Sequence, residues 1–120
     1  LLYGFSPLVI PKPPEWGKDT QVTGFWFLPR PSDWLAPSEL SNFLAQGTPP
    51  VFIGFGSVIA KQAPQLTEIV VDALSQTGQR GILLSGWGGL SHRDLPKDIF
   101  MLESAPFDWL FPQMRSAVIH

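Results

Sequence analysis

Cysteine is absent from this chain of 120 residues, and charge is sparse, at 15% of positions. Without cysteine there is neither a disulfide framework nor a thiolate metal site, which fits a reducing compartment. The two histidines, His92 and His120, lack carboxylates at ligand spacing, so no metal site is expected. Eight basic residues are scattered among ten acidic ones, for a net charge of −2 and a pI near 5.5. A nucleic-acid face needs clustered Lys and Arg, so that class of partner is excluded. No apolar run reaches the roughly 18 residues of a membrane helix, because Lys61 and Pro64 interrupt the longest window. A charged start followed by a small-residue cleavage site is also missing. So are a Ser-His-Asp order, a Cys nucleophile and an acid–base pair. Neither an internal repeat nor a low-complexity tract occurs.

What is present is apolar and punctuated. Hydrophobic residues make up 44% of the chain and prolines number thirteen, most of them before residue 51. That is room for one modest domain with one core. Residues 1–50 and 51–120 differ in character. In the first part Pro11, Pro13, Pro14, Pro29, Pro31 and Pro37 favour extended connections over a sheet centre. Leu8-Val9-Ile10 and Val22 to Phe27 are expected as short strands. Ser38 to Leu44 is expected as a helix capped by Ser38 and stopped at Gly47. The second part alternates: strand 51–55, helix 62–77, strand 81–85, strand 99–102, a short helix over 107–112 and strand 117–119. Leu66, Ile69, Val70, Ala73 and Leu74 are expected on the buried helix face. Near-continuous apolar strands between helices imply a parallel sheet covered on both faces, half of a doubly wound α/β domain. The chain opens on Leu1-Leu2-Tyr3 and closes on Ser116-Ala117-Val118-Ile119-His120, a strand pattern, and the expectation is an interior piece of something larger.

Ligands of such sheets sit outside the carboxyl ends of the strands, so the loops there carry the candidate chemistry. The run Pro49-Pro50-Val51-Phe52-Ile53-Gly54-Phe55-Gly56-Ser57 reads as a buried strand opening onto a tight loop before a helix. Bare N–H groups of Gly56 and Val58, with the Ser57 hydroxyl, suit a phosphate oxygen; an ordinary strand–helix turn capped by Ser57 fits equally. In Ser85-Gly86-Trp87 the indole either folds back on the sheet edge or stacks on a ligand ring. Ser104-Ala105-Pro106 is a kinked turn, open to a nucleobase edge or simply the start of a helix. His120 ends its strand on the same edge, either as a donor to a diphosphate or as a polar strand end. His92, beside Arg93 and Asp94, reads as solvated surface.

Several of these stretches together resemble a known family. Gly54-Phe55-Gly56-Ser57, Ser85-Gly86-Trp87-Gly88, Pro106-Phe107-Asp108-Trp109-Leu110-Phe111-Pro112 and Val118-Ile119-His120 are similar, in order and spacing, to the sterol 3-β-glucosyltransferase-like glycosyltransferases. Tyr3-Gly4-Phe5-Ser6-Pro7, Pro14-Glu15-Trp16 and Val22-Thr23-Gly24-Phe25-Trp26 resemble that family's passage from acceptor to donor domain. The resemblance covers essentially the whole chain. It implies a two-domain GT-B enzyme, with residues 1–50 as the end of the acceptor domain and linker. Residues 51–120 would then be the first half of a Rossmann-like donor domain. It implies inverting transfer of a hexose, glucose from UDP-glucose, to a lipid, sterol-like or other small-molecule hydroxyl. By that resemblance Gly56, Ser57 and Val58 approach the diphosphate. Ser85, Gly86 and Trp87, with Ser104, Ala105 and Pro106, form the nucleoside end. His120 matches the first His of the family's His-His-Gly-Gly stretch, and the catalytic base belongs to the acceptor domain. No cofactor or metal is implied. One residue departs from the pattern: Phe107 stands where the family usually has His.

The expected setting is cytoplasmic, with the apolar residues of 28–35 available to a membrane surface or to a neighbouring domain. Two other readings compete. A non-catalytic nucleotide-binding α/β domain shares the loops, although Gly54-x-Gly56-x-x-Ile59 lacks the third glycine of a dinucleotide site and no acid follows the second strand. A carbohydrate-binding domain built on the five Trp predicts a β-sandwich, which the helix over 62–77 opposes.

Overall fold

Short apolar strands bounded by Gly and Pro can bury both faces of their pleat only between two covering layers. The computed structural model of the chain, which describes residues 1–56, 63–85 and 95–119, adopts that arrangement. Before the sheet come a two-residue ladder and a helix: β1 (Leu2–Tyr3) pairs in parallel with β2 (Gln21–Val22), and α1 spans Ser38–Ala45. Strands β3 (Val51–Gly54), β4 (Gly81–Leu84), β5 (Ile99–Leu102) and β6 (Ser116–Ile119) then form one sheet in the order β5-β4-β3-β6. Every pairing is parallel. Helix α2 (Ala63–Gln76) lies between β3 and β4 in sequence. Helix α3 (Phe107–Leu110), followed by a 3-10 turn over Phe111–Gln113, lies between β5 and β6.

Alternation along the strands divides the core in two. Ile53, Leu83 and Ile99 face Val70 and Leu74 of α2. Phe52, Ile82 and Leu102 face Leu40 of α1 and Leu110 of α3. The sheet is therefore covered on both faces, as a doubly wound α/β unit requires. Strand β6 is the exception, since all four of its residues are exposed. The radius of gyration is 17.7 Å, against about 14 Å for a chain of this length packed as one ball. Much of the excess lies in the proline-rich first part, where Leu8 and Leu28 are almost fully exposed.

Four local expectations need correction. Leu8-Val9-Ile10 is a turn rather than a strand: the Val9 and Ile10 amides both donate to the Ser6 carbonyl, at 3.0 and 3.1 Å. Flanking Pro7 and Pro11 leave no ladder donors on either side. The second strand stops at Val22 because the chain folds back, with Trp26 Nε1 donating to Thr23 Oγ1 at 2.6 Å. Ser38 is not a cap. Pro37 holds that position, its carbonyl accepting the Ser41 amide at 3.0 Å, with Glu39 in the first turn. In α2, Ile69 is 64% exposed and Ala73 is also outside the core. The buried stripe runs instead through Leu66, Thr67, Val70, Val71 and Leu74. Thr67 can sit at its centre because its hydroxyl donates to the Ala63 carbonyl at 2.7 Å, satisfying a group that burial would otherwise penalise.

Two contacts set the layer spacing. A Cβ added at Gly81 would lie 2.4 Å from Leu74 Cδ1, so α2 rests directly on the β4 backbone. Arg80, just before β4, donates to the carbonyls of Thr48, at 2.7 Å, and Phe43. Its guanidinium lies 4.2 Å from the Phe43 ring centroid, so one side chain ties the end of α1 to the sheet.

Gly81→Ala is expected to lose about 1–3 kcal/mol through overpacking against Leu74, read as a lower urea midpoint. Arg80→Lys keeps the charge but not the fork, and is expected to recover only part of the stability that Arg80→Ala loses. A midpoint for Arg80→Lys equal to that of the unsubstituted chain would show that the bidentate geometry is irrelevant.

Candidate functional site

Because the four strands run parallel, their carboxyl ends meet on one edge of the sheet. The register aligns Gly54 with Ile119 and Leu84 with Leu102 along that edge. The segments leaving it are Phe55–Gly56 after β3, Ser85 after β4 and Glu103–Pro106 after β5. Of the candidate residues, Gly56, Ser85, Ser104, Ala105 and Pro106 are brought to this edge. Ser57, Val58, Gly86, Trp87 and His120 lie outside the described residues, as does His92.

Each described loop has a distinct local cause. Gly56 has φ +59°, a left-handed conformation that glycine adopts without Cβ strain, so the chain turns sharply as it leaves β3. Before it, Phe55 remains half-buried against the α2 side of the core. Ser85 is 8% exposed, and both its amide (2.9 Å) and its hydroxyl (3.3 Å) donate to the Leu102 carbonyl. The amide bond extends the β4–β5 ladder by one residue, and the hydroxyl shares its acceptor. Ser104 is exposed, whereas Ala105 packs into the α1 and α3 side of the core. Pro106 caps α3, its carbonyl accepting the Trp109 and Leu110 amides at 3.2 and 3.0 Å. The turn therefore starts a helix while presenting Ser104 to solvent.

Two features escaped sequence reasoning. Phe52, Phe107 and Phe111 pack as three mutually contacting rings behind the edge. The spacing of Phe107 and Phe111, four residues apart on a helical segment, was the available signal. The second is an open groove of about 600 Å³, with Trp26, Phe27 and Arg30 on one wall and Pro106, Phe107 and Asp108 on the other. Its walls are about eighty residues apart in sequence, so no local pattern announces it. The Trp residues divide in use. Trp16 stacks on Tyr3 at 4.4 Å and Trp34 meets Trp109 edge-on at 5.0 Å, while Trp26 remains 66% exposed. Parallel β-sheet pairing with intervening helices is incompatible with a β-sandwich of stacking tryptophans. Among the described residues no group of His, Cys, Asp and Glu could hold a metal ion, and no helix is long and apolar enough to cross a membrane.

No family model matches the chain. Individual proteins do. Sterol 3-beta-glucosyltransferase UGT80A2 of Arabidopsis thaliana is 44% identical over 119 residues, covering 98% of this chain. UGT80B1 of the same plant, also a sterol 3-beta-glucosyltransferase, is 42% identical over 120 residues. The sterol 3-beta-glucosyltransferase of Penicillium rubens is 37% identical over 131 residues, covering 99% of this chain. The chain spans 19% of the length of each Arabidopsis relative and 10% of the Penicillium one. End to end it matches one segment of these sterol 3-beta-glucosyltransferases, at 37–44% identity.

Proposed function

We propose that this chain is the donor-side segment of an inverting glucosyltransferase that moves glucose from UDP-glucose to the hydroxyl of a sterol. The observation that carries the proposal is the end-to-end similarity to sterol 3-beta-glucosyltransferases. The parallel sheet adds support, since its turns converge where such sheets receive ligands. Residues 51–120 form the first half of the donor domain under this reading, and residues 1–50 lead into it.

The difficult part of the reaction is charge building on the departing diphosphate. Preorganised N–H groups and a helix N-terminus stabilise such charge without reorganising as the bond breaks. The turn at Gly56, with Ser57 and Val58, is assigned to the diphosphate, and His120 joins it there. Ser85, Gly86 and Trp87 take the nucleoside end together with Ser104, Ala105 and Pro106. The Ser85 hydroxyl must then exchange its bond to Leu102 for one to the ligand, or serve only to hold the loop. Proton abstraction from the acceptor hydroxyl is assigned to a general base outside residues 1–120. The UDP-sugar is a substrate, and no resident cofactor enters the scheme. The setting is cytoplasmic, at a membrane surface where the sterol resides. The exposed side chains of Phe27, Leu28 and Leu35 favour that contact.

Replacing the matching segment of the Arabidopsis enzyme UGT80A2 with residues 1–120 is expected to leave steryl glucoside formation from UDP-glucose measurable by mass spectrometry. A folded graft that binds UDP without transferring glucose would favour a non-catalytic nucleotide-binding domain. A folded graft that binds no UDP would sink both readings. Residues 1–120 alone are expected to transfer no sugar, and turnover by them would contradict the external base.

A further inference from the structure

Three aromatic rings connect two of the turns at the carboxyl edge. Phe107 opens α3 directly after the 104–106 turn, and its ring stacks on Phe111 at 4.7 Å with 7° between the planes. Phe52 of β3 meets Phe107 edge-on at 5.7 Å and Phe111 at 5.1 Å. The far rim of Phe52 lies against Gly54. A Cβ added there would be 3.0 Å from Phe52 Cε1, 3.1 Å from Cζ and 3.4 Å from Leu84 Cβ. Gly54 therefore sits on a ring that Phe107 of α3 and Phe111 of the 3-10 turn contact from the other side. It leads through Phe55 into the left-handed turn at Gly56.

We infer that Phe107 is a positioning residue: through Phe52 it fixes the Gly54–Gly56 turn relative to the Ser104–Pro106 turn. The spacing so fixed is that between the phosphate end and the nucleoside end of a bound nucleoside diphosphate. That ligand assignment rests on the donor-site reading above; the mechanical coupling does not. Edge-to-face contacts have a preferred geometry, so a three-ring set transmits position better than an aliphatic cluster of equal area. Exposure supports the division of labour. Phe52 is 1% exposed and belongs to the core, whereas Phe107 is 47% exposed and lies at its margin. Removing the Phe107 ring thus separates positioning from folding, which removing Phe52 would not.

The test compares the chain with Phe107→Ala and Phe107→Tyr by amide hydrogen exchange and by titration with UDP. Phe107→Ala loses two ring contacts, and exchange at Gly54 and Phe55 is expected to quicken about tenfold. Exchange at Ile82 and Leu83 in β4 stays unchanged, and Phe107→Tyr restores the original rates. UDP affinity is expected to fall about tenfold in the alanine variant and to return with tyrosine. Unchanged exchange at Gly54 and Phe55, or equal quickening throughout β4, would overturn the coupling. Equal UDP affinity in the parent and alanine forms, with exchange at Gly54 and Phe55 quickened, would overturn the assignment of that spacing to the nucleotide. If the unsubstituted chain, as half a donor domain, binds no UDP, the graft decides the donor reading and the exchange comparison alone decides the role of Phe107.

Discussion

Strand β3 hydrogen-bonds in parallel to β4 on one side and to β6 on the other, and the remaining geometry follows from that double pairing. A parallel ladder cannot close through a tight hairpin, so each neighbour must be reached by a crossover. α2 supplies the crossover to β4 and packs on one face of the sheet, leaving the other face for α1 and α3. The same pairing sends all four carboxyl ends to one edge. Phe52 and Ile53, adjacent in β3, point to opposite cores, so one strand anchors both layers.

The elements legible in the sequence were those whose signal is local. β5 spans Ile99–Leu102 as the apolar run between Asp98 and Glu103 indicates, and the other three sheet strands agree to within one residue. The face of α2 was less legible, because its period contains a polar residue, Thr67, that becomes apolar in effect by bonding to its own helix. The proline-rich part was hardest. Apolar triplets such as Leu8-Val9-Ile10 have strand composition, but prolines on both sides and a backbone turn onto Ser6 decide the outcome.

For the candidate site, sequence indicated which turns share an edge, because topology alone determines that. It did not indicate what joins them. By resemblance alone, Phe107 reads as a lost polar group. In the fold its ring stacks on Phe111 and abuts Phe52, so the position carries a packing role that no single motif discloses. Ser85 illustrates the reverse case. Its place after a strand suggested a ligand contact, while its hydroxyl faces inward to Leu102.

Strand β6 has one further consequence. It pairs with β3 alone among the described residues, and Val118 and Ile119 are 49% and 69% exposed. An apolar edge strand is a template for another strand, and β6 has no charged residue or proline within it to discourage pairing. Within the described residues this edge is thus the open side of the sheet, where an added strand would extend the ladder rather than cover a face.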